Sequence, residues 1–133
     1  MSTASWIPDD LLAKWLLVVS TLAIFNCTQN YLDHSFSRKV YTKGGAQVTP
    51  LSARTFGIWN LASAMIRLYA AYDIHNKAAY DLCMGSFVIA LFHFTTEVLV
   101  FKTAKLSAGI ISPLIVASSS LVTMWIKYAD YIH

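Results

Sequence analysis

Charge is what this chain has least of. Asp, Glu, Lys and Arg make up 13% of its 133 residues while 56% are hydrophobic, and the mean hydropathy is +0.52; soluble domains carry about 25% charged residues. So little charge cannot cover a water-facing surface, which argues against a soluble domain. Histidine is also scarce. The four histidines, His34, His75, His93 and His133, form no HxxxH, HxxHH or ExxH spacing. The histidine clusters of membrane-bound iron hydroxylases and the two-His-one-carboxylate triad are therefore missing, and no metal or cofactor is expected. Glycine is thin too: "KGGA" and "MGSF" lack the remainder of any phosphate-binding loop, and GxGxxG, GxxxxGK and GxSxG do not occur. The net charge of +3 suits proximity to anionic headgroups. Its basic residues are not gathered with exposed aromatics on a soluble face, so nucleic-acid binding is not indicated.

What the chain does have is four long apolar runs. Leu11 to Cys27 is broken only by Lys14, Thr55 to Tyr72 only by Arg67, Leu82 to Phe101 only by Glu97, and Leu106 to Ile126 by no charge. A bilayer core about 30 Å thick takes roughly 20 helical residues. The expected fold is therefore all-α: a polytopic membrane protein forming one domain, 1–133, an antiparallel bundle of four transmembrane helices at about 11–30, 52–73, 79–101 and 108–128. Four buried helices of a soluble protein would instead show a polar stripe at every turn. The first run is read as a retained helix rather than a signal peptide, because "PDD" precedes it where a basic segment would stand. "DHSFSRKVYTKGGAQVTP" is the one long connection, read as loop. Trp15, Tyr31, Tyr69, Tyr72, Tyr80, Trp125 and Tyr128 fall near run ends, as an interfacial aromatic belt requires.

Threading the runs back and forth sorts the polar residues into two layers. Asn26, Gln29, Arg54 and Glu97 share the side of the first and third loops, with His93 one turn deeper than Glu97 on the same face. Lys14, Arg67, Asp73, Asp81 and Lys127 share the other. A charge at membrane depth usually faces the bundle interior and pairs, so Arg54 and Glu97 are expected as an interhelical clamp, with His93 bonded to a Ser, Asn or backbone carbonyl. The functional reading makes His93 and Glu97 a proton-handling pair. Arg67 is either snorkelling, paired to an Asp, or a ligand contact. Cys27 and Cys83 fall on opposite sides, beyond disulfide reach, and the Asn26-Cys27-Thr28 sequon lies too near the membrane for modification. The larger number of Lys and Arg in the first and third loops places those loops in the cytoplasm and both termini in the lumen.

"AKWLLVVSTLAIFN", "SRKVY", "LSARTFGIWN", "MIRLYAA", "ALFHFTTEVLVF" and "SPLIVASSSLV" resemble, in the same order, the ergosterol biosynthetic protein 28 family in its fungal form. The similarity runs from about Lys14 to Tyr128. The resemblance implies a non-catalytic, multi-pass protein of the endoplasmic reticulum membrane. It would tether the sterol C-4 methyl oxidase, the sterol C-3 dehydrogenase/decarboxylase and the 3-keto sterol reductase, with links to further sterol-pathway enzymes. The matching motifs fall on Arg54, Thr55, Phe56, Gly57 and Trp59 and on His93, Phe94 and Glu97. With Arg67, these are the candidate structural or partner-contact residues; none is carried over as catalytic. The tail after Tyr128 shows no dilysine-type signal, so retention is expected to come from partners or the helices.

A scaffold buries surface against membrane partners through small residues and interhelical hydrogen bonds. "LASA" at 61–64 and "ASSS" at 117–120 offer such faces, and Ala117 and Ser119, with the basic first loop, are expected to form the docking surface. Pro113 is expected to kink the fourth helix. The alternative is a small sterol isomerase-like membrane enzyme that uses Glu97 as acid, with His93 tuning it.

Overall fold

The computed structural model describes residues 6–133, and within them every regular element is helical. Four long helices carry the fold: α1 (Leu11–Leu32), α3 (Pro50–Tyr72), α4 (Lys77–Leu99) and α5 (Ala108–Ile126). Two single-turn helices join them, α2 (Ser35–Arg38) in the first connection and α6 (Tyr128–Tyr131) after α5, and a 3₁₀ turn spans Gly45–Gln47. Both short helices and the 3₁₀ turn interrupt stretches read from sequence as loop or tail. They are single turns whose bonds come from local backbone geometry, so they leave no periodic signature.

The helix starts are written in side-chain oxygens. The Ala13 amide donates to the Asp10 carboxylate at 3.0 Å and the Ala79 amide to the Asn76 side chain at 3.1 Å. At α3, Thr49 and Ser52 form a reciprocal capping box, with Pro50 following as a residue that has no amide proton to satisfy. Along the helices, hydroxyls return to the carbonyl one turn back: Thr21 to Leu17, Thr28 to Ile24, Thr55 to Leu51, Thr96 to Phe92 and Ser119 to Ile115. Polar side chains thereby satisfy themselves without water, the condition for sitting in an apolar medium.

α1, α4 and α5 are each long and apolar enough to cross a membrane. α3, expected as a further crossing, falls outside that group because Arg54, Asn60, Ser63 and Arg67 dilute it. The outward faces are apolar on all four: Leu22 and Phe25, Ile58 and Met65, Ile89 and Phe92, Ile115 and Val122 are all exposed. Apolar faces of this extent mark a surface that meets a membrane or a protein partner.

The helices pair closely in two places. α1 lies along α3 through small side chains: Ala13, Ser20 and Ala23 on one, Ala53, Gly57, Ala64 and Ala71 on the other, are all buried. A Cβ at Gly57 would stand 3.2 Å from the Cys27 carbonyl oxygen and 3.3 Å from its Cα, so the backbones approach too closely for most side chains. α4 packs on both α3 and α5, burying Tyr80, Phe87, Ile110 and Met124, with the Tyr80 hydroxyl donating to the Met124 carbonyl at 2.7 Å. α1 and α5 are tied by one indole bond, Trp15 Nε1 to Ser120 Oγ at 2.8 Å. The two ends of the described chain meet: the Tyr131 hydroxyl donates to Asp10 at 2.8 Å, and burial and that carboxylate push the Tyr131 phenol up to about 12.

Candidate functional site

The polar residues singled out in the sequence separate into two places. His93 and Glu97 lie on one face of α4, four residues apart, near the end capped by the first and third connections. The partner of His93 is neither Ser, Asn nor a backbone carbonyl. It is Tyr41 in the first connection, whose hydroxyl stands 2.6 Å from His93 Nε2 and donates to it when the ring proton is on Nδ1. Trp59 stands edge-on to the same imidazole at 5.1 Å between centroids, and Tyr41 packs edge-on to Phe56 at 5.3 Å. Burial and the Glu97 charge hold the Tyr41 phenol well above its ordinary range, so it stays a donor.

Arg54 and Glu97 do not pair. Ala53, Phe56 and Gly57 occupy the buried side of α3, which turns Arg54 outward to an exposed position, and among the described residues no ion pair includes it. Glu97 is satisfied instead by Thr103, whose hydroxyl donates to Oε1 at 2.6 Å, while its backbone carbonyl accepts the Thr103 amide at 2.9 Å. The chain folds back after α4 at Lys102, the one non-glycine residue with positive φ (57°) among those described. That reversal brings Thr103 against Glu97 and lets the Lys43 amide donate to the Thr103 carbonyl at 2.7 Å, joining the first and third connections.

These groups line an open cavity of about 460 Å³ between α3 and α4, with Tyr41, Gln47, Phe56, Trp59, Ile89, His93, Glu97 and Thr103 among its walls. Tyr41 and Thr103 were not singled out in the sequence. One available signal was "VY" within the polar, basic "SRKVYTKGG": apolar residues in such a loop are there to be tucked in, and Val40 is buried.

Arg67 occupies the second place, and it has no carboxylate. Nε donates to Ser86 Oγ at 3.0 Å, the guanidinium carbon sits 4.2 Å from the Phe87 ring centroid, and the residue is only 7% exposed. Among the described residues no ion pair includes it. Ser86 and a ring face thus hold a cation for which an Asp partner was one expectation. Gly57 lies in the α1–α3 seam rather than at a contact surface. Near it, Asn30 Nδ2 donates to Asn26 and Asn60 Nδ2 to Asn26 Oδ1, an amide chain that links the two helices.

The small-residue faces also turn inward. Ser63 and Ala64 of the "LASA" stretch and Ala117 of "ASSS" are buried, so the surface expected around Ala117 and Ser119 is half core; Ser118 and Ser119 are its exposed part. Cys27 and Cys83 are both free, and no group of His, Cys, Asp and Glu among the described residues could hold a metal ion.

Residues 12–122 match the family model described as "Erg28 like protein". The chain is 45% identical over 122 residues to ergosterol biosynthetic protein 28 of Candida albicans, covering 92% of this chain and 88% of the relative. It is 44% identical over 115 residues to the protein of the same name in Schizosaccharomyces pombe, covering 86% and 84%. It is likewise 45% identical over 116 residues to the ergosterol biosynthetic protein 28 homolog of Mus musculus, covering 86% and 83%. No solved structure matches.

Proposed function

The chain belongs to the Erg28-like family, and from that premise we propose that it is a non-catalytic scaffold of ergosterol biosynthesis in the endoplasmic reticulum membrane. Its partners are the sterol C-4 methyl oxidase, the C-3 dehydrogenase/decarboxylase and the 3-keto reductase. The observation that carries this reading is the extended likeness to relatives named for ergosterol biosynthesis. The form of the bundle supports it: α5 is the least buried of the three apolar helices and presents Ile111, Ile115, Ser118 and Val122 outward. A partner helix can pack on such a face through van der Waals contact and hydroxyl bonds.

In this reading α3 crosses the membrane as well. Asp10 and Tyr131 meet, so both ends lie on one side of the bundle, and a chain whose ends share a side crosses an even number of times. α3 runs beside α1 and turns Ile58, Met65 and Tyr69 outward, while its polar residues Asn60, Ser63 and Arg67 are engaged inside. The first and third connections with the flanking Arg54 carry six of the ten basic residues, and in this reading they face the cytoplasm.

Affinity purification of the tagged chain from microsomes in mild detergent, followed by mass spectrometry, tests the proposal. Recovery of the three enzymes is expected; recovery of the chain alone overturns it. One observation favours a second reading, a small sterol isomerase-like enzyme: His93 and Glu97 line the same cavity. That reading requires the purified chain to convert a sterol substrate, and His93→Ala or Glu97→Ala to abolish conversion without weakening assembly.

A further inference from the structure

The cavity between α3 and α4 has a polar end and an apolar end, and they are ordered by depth. Tyr41, Gln47, Glu97 and Thr103 gather where the two connections cap it, while Phe56, Trp59 and Ile89 line the remainder. Trp59 lies nine residues inside the Pro50 start of α3 and Ile89 ten inside the Leu99 end of α4, or about 13 and 15 Å at 1.5 Å per residue. The cavity thus runs from the interface inward, the direction in which a membrane-dissolved amphiphile lies. Ile89 and Thr55, both exposed, stand at its mouth, so entry is from the surroundings of the bundle.

The lining also selects a headgroup. Its one formally charged residue is Glu97, with no Lys or Arg. A phosphate or fatty-acid carboxylate would meet a carboxylate and no cation. A neutral hydroxyl finds partners. With the His93 ring proton on Nδ1, Tyr41 commits its proton to His93 and keeps lone pairs on Oη, and Glu97 commits Oε1 to Thr103 and keeps Oε2 as an acceptor. The volume falls within the range of about 300–1,000 Å³ that takes compact small molecules, and Phe56 and Trp59 supply aromatic, apolar walls.

We propose that this cavity binds a neutral membrane alcohol with a rigid, fused-ring body, a hydroxysterol, with its hydroxyl at Tyr41, His93 and Glu97 and its rings against Phe56 and Trp59. The class, a neutral alcohol of compact apolar body, follows from the cavity; the choice of a sterol within it rests on the function proposed above. The chain serves as a binding site here and transfers no group.

The test is photolabelling of the purified full-length chain in detergent with a diazirine-bearing hydroxysterol. Labelled peptides are expected to cover 41–59 and 89–97. Excess unlabelled sterol should suppress the labelling, whereas phosphatidylcholine or oleic acid should not. Tyr41→Phe removes the hydroxyl and should weaken labelling about fivefold, the loss that goes with one hydrogen bond. Thr55→Phe fills the mouth without touching the polar cluster and should abolish labelling while the melting temperature holds. If that variant fails to fold, Ile89→Trp blocks the opposite wall. Labelling spread over the outward faces, competition by phospholipid as strong as by sterol, or full labelling of a folded blocked variant overturns the assignment. Partner recovery is read separately. Enzymes recovered without competable labelling overturn the cavity assignment alone, and competable labelling without enzymes overturns the scaffold alone.

Discussion

The two helix pairs of this all-helical fold are built on different principles. α1 and α3 meet through alanine, serine and glycine, close enough that Gly57 has the Cys27 backbone at the distance of a missing methyl. α4 and α5 meet through large side chains such as Tyr80, Phe87 and Met124, and α5 leaves most of its circumference outward. In lipid there is no hydrophobic drive between helices, so association rests on close contact and hydrogen bonds. The α1–α3 seam has both and reads as the spine of the molecule. α4 lines the cavity from the side opposite α3, α5 carries the free face, and this half reads as the working side.

The sharpest way to break that contrast is Gly57→Leu. Overpacking a tight site costs about 1–3 kcal/mol, and with backbone as the opposing surface we expect the upper end or loss of the folded chain. A melting temperature in mild detergent equal to that of the parent would show that the seam is not the spine. Next comes the buried cation. Ser86→Ala removes the hydroxyl oxygen that Arg67 Nε donates to, and a hydrogen bond to a charged group is worth about 1.5–3 kcal/mol. Arg67→Met removes the charge together with its need, and buried charges are often replaced by apolar residues at little cost. Ser86→Ala is therefore expected to melt lower than Arg67→Met, and the reverse order would mean that Arg67 has a further partner.

The end clasp gives a smaller, pH-dependent effect. The Tyr131 phenol is raised to about 12 from an ordinary 10, by burial first and then by Asp10. Because the folded chain holds this proton more tightly, the contribution is complete below pH 10 and is lost as pH rises from about 10 through 12. Thermal unfolding across that range should decline in the parent and decline less in Tyr131→Phe; parallel curves would remove the clasp as the cause. Ser118→Phe, on the outward face of α5, should leave melting unchanged while lowering recovery of the proposed partner enzymes severalfold. Full recovery would move the docking surface elsewhere.

The helices were legible because long apolar runs announce themselves; their ends moved by two residues or so, with α1 extending to Leu32 and α3 beginning at Pro50. The site was legible in half. His93 and Glu97 were visible as polar residues in apolar surroundings, but Tyr41 is 52 positions from His93, and nothing periodic connects a loop residue to a helix that far along. The Arg54–Glu97 pair failed for a rotational reason. Depth along an axis can be counted from sequence, but which way a side chain turns depends on the face that Ala53 and Gly57 claim for α1. Ala117 failed the same way: a small residue is equally suited to an inner or an outer contact until the neighbours are in place.

The clasp between Asp10 and Tyr131 also makes the protein its own proximity gauge. A fluorophore placed at Trp6 and a quencher at Ile132, four residues before Asp10 and one after Tyr131, would be held together only while the bundle is closed. Their separation would report folding in a living membrane with neither ligand nor partner present.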